Sequence, residues 1–172
     1  METTPRSEMR ILTVRQPWAW AIIHGGKDVE NRIRNIAGGY RGPVAIHVAL
    51  SEDEDGWDDP KLRAAWSELP AIKVLGKFYR PLSPMWAELG HIIGIVDILD
   101  AHEGHSESLH ALSGEVIATS PCSPWARPDT HHLVLANPRA LTEPIPYRGA
   151  LGLRRLDDDT TARILAQIGG EA

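Results

Sequence analysis

The hydrophobic residues of the chain follow two different periods, which predicts a domain that mixes strands with short helices. Every second residue from 44 to 50 is Val, Ile or Leu, the alternation of a strand with one buried face. Short apolar segments rich in β-branched residues predict further strands at 11–14, 29–34, 92–99, 132–136 and 150–153. This spacing of strands is typical of a sheet whose strands are joined by irregular segments.

Three segments carry helical signals instead. Residues 18–24 follow Pro17, which is favoured in the first turn of a helix, and they end at the glycine pair 25–26. Residues 60–69 repeat apolar side chains at helical spacing. A third helix is predicted to follow the aspartates at 157–159, which are good N-caps, and to extend through Ile168.

The tryptophans of the first predicted helix divide between two faces. Trp18, Ala21 and Ile22 share one face at 3.6-residue spacing, so Trp18 is predicted to lie in the core. Trp20 lies off that face beside His24. Trp20 therefore either packs beneath a loop or offers a stacking platform for a nucleobase.

Together these elements predict an α+β fold, a mainly antiparallel sheet or small β-barrel with a few short helices. We expect a flexible N-terminal tail at 1–8, the domain at 9–156, and a C-terminal helix at 157–172 that packs on the domain or trails it. The Ser- and Pro-rich segment 102–128 predicts a long loop with one helical turn at most.

Composition fits a globular chain with a local positive region. The chain has 172 residues, 42% of them hydrophobic and 24% charged, which fits one domain and excludes a disordered chain. A net charge of −5 excludes a protein coated in basic residues. Residues 1–50 nevertheless carry seven basic and four acidic side chains, while an acidic run occupies 52–59.

Cellular location and metal binding follow from what the sequence lacks. The polar N-terminus has no apolar signal-peptide core, and Asp97 interrupts the apolar segment 92–99, so a soluble cytoplasmic protein is expected.

A single cysteine, Cys122, excludes an intramolecular disulfide and a cysteine-based zinc site. The histidines offer no better metal site, because the spacing of His102, His105 and His110 is loose and the adjacent His131 and His132 face opposite sides of a strand. We therefore predict no metal and no cofactor.

Three motifs occur in order near the N-terminus: residues 13–19 (TVRQPWA), 24–32 (HGGKDVENR) and 40–47 (YRGPVAIH). Together they resemble the ASCH domain family of the PUA-like superfamily of small β-barrels. The resemblance implies a cleft beside the barrel, at the first strand–helix junction, that binds RNA or modified nucleotides. It also implies that Lys27, Glu30 and Arg32 lie in that cleft.

The residue chemistry is compatible with such a ligand. Adjacent glycines leave backbone amides accessible to a phosphate or a base edge. Lys27 supplies a point charge, Glu30 can accept hydrogen bonds from an exocyclic amino group, and arginines can contact phosphates. The candidate ligand-binding residues are Arg15, Gln16, Trp20, Gly25, Gly26, Lys27, Glu30, Arg32, Arg41 and His47. His47 is either a cleft residue or a histidine satisfied within the barrel.

Two other functions remain open. One branch of the family resembles amidohydrolases that act on N4-acylated cytidine, and some relatives look like ribonucleases, so Lys27 and Glu30 are candidate catalytic residues. That branch implies a threonine three residues after the lysine, where this chain has Glu30, and a downstream acid, here Asp97, Asp100 or Glu103. The second alternative is a protein-interaction scaffold that captures partners through the 102–128 segment. The expected partners are RNA or a nucleotide, with no membrane and a monomeric chain.

Overall fold

The computed structural model describes residues 8–68, 88–104 and 121–169, and the backbone of four short strands in the gaps. The strands are β1 (Arg10–Val14), β2 (Val29–Arg32), β3 (Gly42–Val48), β4 (Ile72–Val74), β5 (Lys77–Tyr79), β6 (His91–Gly104), β7 (Glu107–Leu109), β8 (Val116–Ala118), β9 (Thr130–Pro146) and β10 (Leu153–Arg155). The helices are α1 (Trp18–His24), α2 (Pro60–Ser67) and α3 (Asp158–Ile168), and a short 3₁₀ helix spans Glu54–Asp58. The α+β class predicted from the sequence is confirmed.

One six-stranded sheet organises the described residues, in the order β10-β1-β3-β6-β9-β2. β1 and β3 are parallel, and every other neighbouring pair in this sheet is antiparallel. β4 pairs with β5, and β7 pairs with β8, as two separate hairpin-like sheets. The mainly antiparallel arrangement follows the prediction.

The predicted closure into a barrel is not found, because the six-stranded sheet is open. Its edge strands are β10 and β2, and no ladder joins them in the described part of the chain. β10 pairs with β1 only as far as Leu12. Beyond Leu12 a side chain bridges the space between β1 and β2, because Arg32 of β2 donates from Nη2 to the Thr13 carbonyl of β1 at 2.9 Å. This gap between β1 and β2 is where the site described below opens.

The two faces of the sheet carry separate cores. Leu12, Val44 and Ile46 point towards α1 and pack with its Ile22. The alternate positions Ile11 and Ala45 point the other way and pack with Ile164 of α3. The alternation predicted for β3 is therefore confirmed up to Val48, while Leu50 lies beyond the strand and is 80% exposed.

The core face of α1 differs from the prediction. Trp20 is 2% exposed and lies in a third cluster with Ala21 and Leu62, its ring 5.0 Å from that of Trp66. Trp18 is only partly buried. The reason is that α2 packs on the side of α1 that a single-helix projection treats as solvent-facing. A stacking role for Trp20 is excluded by its burial.

Short stretches of strand occupy part of the predicted loop. Residues 102–104 continue β6, and 107–109 and 116–118 form β7 and β8, so the loop prediction for 102–128 is wrong at these positions. The predicted strand 132–136 is part of the seventeen-residue β9, which pairs with β6 through several register shifts. The side chains of His105 and His110 lie outside the described residues.

The C-terminal helix packs on the domain. Asp157 caps α3 by accepting from the Thr160 amide at 2.8 Å, as predicted from the aspartate run. Ile164 is fully buried against the second core. Among the described residues no helix is both long enough and apolar enough to span a bilayer.

Candidate functional site

A cleft of about 580 Å³ opens where β1 ends and α1 begins. Its remaining walls come from Lys27 and β2, from residues between Ala49 and Lys61, from residues 124–127, and from residues 150–152 before β10. This is the strand–helix junction that the motif comparison implied. Its volume lies in the range of about 300–1,000 Å³ that is typical of small-ligand sites.

The floor of the cleft is a network of three charges, two of them buried. Lys27 is 4% exposed, and its Nζ lies 2.9 Å from Glu30 Oε2. Lys27 also donates to the Val29 carbonyl. Arg32 Nε approaches the other carboxylate oxygen, Glu30 Oε1, at 3.1 Å, an ion-pair contact whose angles are not those of a hydrogen bond. Both oxygens of Glu30 therefore face cations of the protein itself.

The turn after α1 places Lys27 beneath the cleft. The Gly25 and Lys27 amides both donate to the Ala21 carbonyl at 2.9 Å, and Gly26 has a φ of +73°. A Cβ at position 25 would lie 2.9 Å from the Trp20 ring, so only glycine allows the turn to pack this closely. The glycine pair was predicted to present amides to a ligand. The structure instead uses it to bring Lys27 back beneath Trp18, and neither glycine lines the cleft.

Two indole rings line the walls. Trp18 donates from Nε1 to Asp53 Oδ2 at 2.7 Å, which fixes its ring plane. The Arg127 guanidinium lies 5.4 Å from the centroid of the Trp18 ring, and Lys27 Nζ lies 5.9 Å from it. Trp125 is partly exposed on another wall, with Lys61 Nζ 5.6 Å from its ring. Both rings have cations within the range of a cation–π contact.

Strand β2 holds the wall that carries Trp125. Asn31 donates from Nδ2 to the Trp125 carbonyl at 2.9 Å and accepts from the Arg127 amide at 2.8 Å. Asp28 accepts from the Ser123 hydroxyl, which in turn accepts from the Trp125 amide at 3.0 Å. Asn31 and Asp28 were not predicted as site residues. Their role depends on partners more than 90 residues away along the chain.

The cleft is more positive than the chain as a whole. The cationic side chains that line it are Arg15, Lys27, Arg32, Lys61 and Arg127, and the acidic ones are Glu30, Asp53 and Asp59. The whole chain has a net charge of −5. The positive region predicted from the N-terminal motifs thus receives two more cations from distant segments.

Several predicted site residues lie elsewhere. Gln16 is fully buried, and its Oε1 accepts from the Trp20 amide at 2.9 Å, so it supports the first turn of α1. Arg41 is exposed and pairs with Asp100 at 3.1 Å. Neither residue lines the cleft. Arg15, Lys27, Glu30 and Arg32 do line it.

His47 is a buried histidine satisfied by its neighbours. It is 2% exposed, Nδ1 lies 3.2 Å from Thr13 Oγ1, and Nε2 lies 2.9 Å from the Tyr147 carbonyl. Because a carbonyl only accepts, Nε2 carries the proton and Nδ1 accepts from the threonine hydroxyl. Burial lowers the pKa of His47 below 6.5. It supports the cleft residue Thr13 from behind, and it does not line the cleft.

The acids considered for a hydrolase do not reach the floor. Asp97 pairs with Arg139 at 3.2 Å, and Asp100 pairs with Arg41 and His102. Glu103 lies on β6 opposite His131. None of the three lines the cleft, so the structure offers Glu30, Asp53 and Asp59 as its carboxylates.

The fold is similar to that of a solved ASCH domain. The crystal structure of ASCH from Zymomonas mobilis matches 94% of this chain and 96% of its own, with 14% identity and a TM-score of 0.50. A tyrosine variant and a serine variant of the same protein match with TM-scores of 0.49 and 0.47, at 14% and 13% identity, over 92% and 93% of this chain and 97% and 96% of theirs. No family model matches the chain. The resemblance stated from the three motifs is thus confirmed at the level of the fold.

Proposed function

We propose that the cleft binds a single-stranded RNA segment or a modified nucleotide. The observation that carries the proposal is one cleft that combines five cationic side chains with two indole rings, in a chain whose net charge is −5. Cations recognise phosphate, and indole faces stack on bases of any sequence. An acidic protein with a local basic cleft is expected to have a narrow footprint and weak non-specific affinity.

The exposed cations are the expected phosphate contacts. Arg15 and Arg127 are exposed, and Lys61 reaches the cleft with 42% of its side chain exposed. Lys27 is buried and already donates to Glu30 and Val29, so its part is to hold the floor. The volume of about 580 Å³ accommodates about one nucleotide, so a longer strand would extend across the protein surface.

Glu30 is less available to a base than the sequence suggested. Each of its oxygens faces a cation, and its side chain is 10% exposed. Reading an exocyclic amino group would therefore require one of these ion pairs to open. We expect binding dominated by stacking and phosphate contact, with modest discrimination between bases.

Binding of short single-stranded RNAs and of free and modified nucleotides can be measured by quenching of tryptophan fluorescence. Arg127→Ala removes a cation that lies over Trp18, and Arg139→Ala is the matched control because Arg139 pairs with Asp97 outside the cleft. We expect Arg127→Ala to weaken binding and Arg139→Ala to leave it unchanged. Affinity should also fall as salt rises, because phosphate contacts release counterions. Equal affinities for the two variants, or undetectable binding at low salt, would refute the proposal.

A hydrolase acting on an N4-acylated cytidine or on RNA is the second candidate. It is supported by the Lys27–Glu30 pair at the cleft floor, the two residues that the resemblance offers as catalytic candidates. It is weakened because none of the three alternatives for the single downstream acid lines the cleft, and because Glu30 supplies no hydroxyl. Chromatography of N4-acetylcytidine and of a short RNA after incubation with the protein tests it. Product that also forms with Lys27→Ala, or no product at all, would exclude this function.

A further inference from the structure

A second group of reactive side chains lies outside the cleft, at the base of the wall that carries Trp125. His102 on β6 and His132 on β9 are cross-strand partners, so their side chains share one face of the sheet. Their rings are 5.3 Å apart in an edge-on arrangement. Cys122, at the start of the wall segment, places Sγ 3.3 Å from His132 Nδ1. One nitrogen from each histidine and the sulfur all lie within 4.8 Å of one another.

Contrary to the expectation of no metal drawn from the sequence, we propose that His102, Cys122 and His132, which the fold brings together, bind a divalent transition-metal ion of the zinc class. Two imidazoles and one thiolate form a donor set that suits zinc, with a water in the remaining position of a tetrahedron. Zn–S and Zn–N bonds of about 2.3 and 2.0–2.1 Å place the two donor atoms about 3.5 Å apart at the tetrahedral angle. The observed separation of Cys122 Sγ and His132 Nδ1 is 3.3 Å.

The second ring nitrogen of each histidine is held as a metal site requires. His132 Nε2 lies 2.7 Å from the Arg127 carbonyl, so that nitrogen donates and Nδ1 keeps its lone pair. His102 Nδ1 lies 2.9 Å from Asp100 Oδ2, so the carboxylate accepts and Nε2 keeps its lone pair. Metal-binding histidines characteristically donate their other N–H to a carbonyl or a carboxylate. Both tautomers are therefore set for ligation by neighbours of the expected kind.

The position of His132 is also fixed by packing. His132 is 3% exposed, and a Cβ at position 104 would lie 2.0 Å from its Cε1 atom. Only glycine at 104 leaves the space that this ring occupies. Arg41 donates from Nη2 to the other carboxylate oxygen, Asp100 Oδ1, at 3.1 Å. Arg41, which was predicted to bind ligand in the cleft, therefore orients Asp100 instead.

A metal here would tie the cleft wall to the sheet. Cys122 precedes Trp125 and Arg127 in one short segment, and His132 follows them on β9. The hydrogen bond from His132 Nε2 to the Arg127 carbonyl links the metal site to Arg127, whose guanidinium lies over Trp18. The ion would therefore act by holding this wall in place, independently of which ligand the cleft binds.

Cobalt titration of the 172-residue protein, stripped with a chelator and then desalted, tests the proposal. We expect one equivalent of Co²⁺ to produce a thiolate-to-cobalt charge-transfer band, and Zn²⁺ to displace it. Cys122→Ser should abolish the band, and His102→Gln should weaken Co²⁺ affinity at least tenfold. Asp100→Asn, a change in a positioning residue, should weaken it by about 10- to 100-fold while the band remains at saturation.

His131→Gln is the matched control, because His131 is adjacent to His132 but points to the opposite face of β9. It should bind Co²⁺ as tightly as the unmodified protein. A second measurement uses the single cysteine, since Zn²⁺ should slow the reaction of Cys122 with a thiol reagent. No thiolate band in the unmodified protein, or equal affinities for His102→Gln and His131→Gln, would overturn the proposal.

Discussion

The buried charge network at the cleft floor should respond unequally to removal of its two main members. Glu30→Gln keeps the shape of the side chain but leaves the Lys27 ammonium, 4% exposed, without an anionic partner. Removing one member of a buried ion pair typically costs about 3–5 kcal/mol, because the remaining charge is uncompensated. We expect Glu30→Gln to lower the free energy of unfolding by about 3 kcal/mol or more.

Lys27→Met should cost less. Glu30 would still face Arg32, whose Nε lies 3.1 Å away and whose side chain is 28% exposed, so the carboxylate keeps a cation and some water. The expected cost is about 1–3 kcal/mol, the range for a lost hydrogen bond to a buried polar group. The order of the two variants, with Glu30→Gln the less stable, is therefore the specific prediction.

Urea unfolding followed by both tryptophan fluorescence and far-UV circular dichroism measures this difference. Coincident transitions by the two probes would support two-state analysis. For a domain of this size, about 3 kcal/mol corresponds to a fall in Tm of roughly 6–12 °C. The exposed Glu143 offers a matched control, since Glu143→Gln should change stability by less than about 0.5 kcal/mol. The reasoning is refuted if Lys27→Met costs as much as Glu30→Gln, or if Glu30→Gln costs less than about 1 kcal/mol.

Three further predictions concern packing, pH and capping. Trp20→Ala should lower the free energy of unfolding in urea by about 3–5 kcal/mol, because Trp20 is 2% exposed. Trp18→Ala should cost less stability but weaken nucleotide affinity about five- to 150-fold in the fluorescence assay. The reverse pattern would contradict the assignment of Trp20 to the core and Trp18 to the cleft. Burial lowers the pKa of His47 in the folded protein below 6.5, so the unfolded chain takes up its proton first, and the free energy of unfolding should fall as pH drops through 6.5. His47→Gln should flatten that dependence when unfolding is repeated across pH, and an unchanged slope would exclude His47 as its source. Asp157→Ala should cost about 1 kcal/mol by removing the cap on α3, and a thermal melt that matches the unmodified protein would contradict this.

The local sequence pattern was sufficient to predict helices and strands whose ends are marked by nearby residues or whose burial alternates regularly along the chain. The bounds of α1 were predicted correctly because Pro17 and the following glycine pair mark both of its ends. The alternation in β3 was correct because a strand between two cores buries successive side chains on opposite faces. The long strands β6 and β9 were only partly predicted, since their pairing runs through register shifts and polar segments that no periodicity reveals.

The cleft was predicted in part, for a similar reason. Lys27, Glu30 and Arg32 lie at fixed spacing on one turn and one strand, so the motif located them together. Trp125, Lys61 and Arg127 come from segments far along the chain, and nothing in their local sequence marks them as cleft residues. The burial of Trp18 was overestimated, and the stacking role left open for Trp20 is excluded, because the helix packs against α2 as well as the sheet.

The sequence by itself determined the α+β class, the main helices and strands, and the grouping of Lys27, Glu30 and Arg32 that forms the cleft floor. These depend on interactions between residues close in sequence, such as caps, turns and the alternation of apolar side chains. The tertiary structure alone decided which indole faces the cleft, which cations surround it, and that His102 lies beside Cys122 and His132. Those placements depend on strand register and on the packing of distant segments, where one residue of shift moves every side chain to the other face of a sheet.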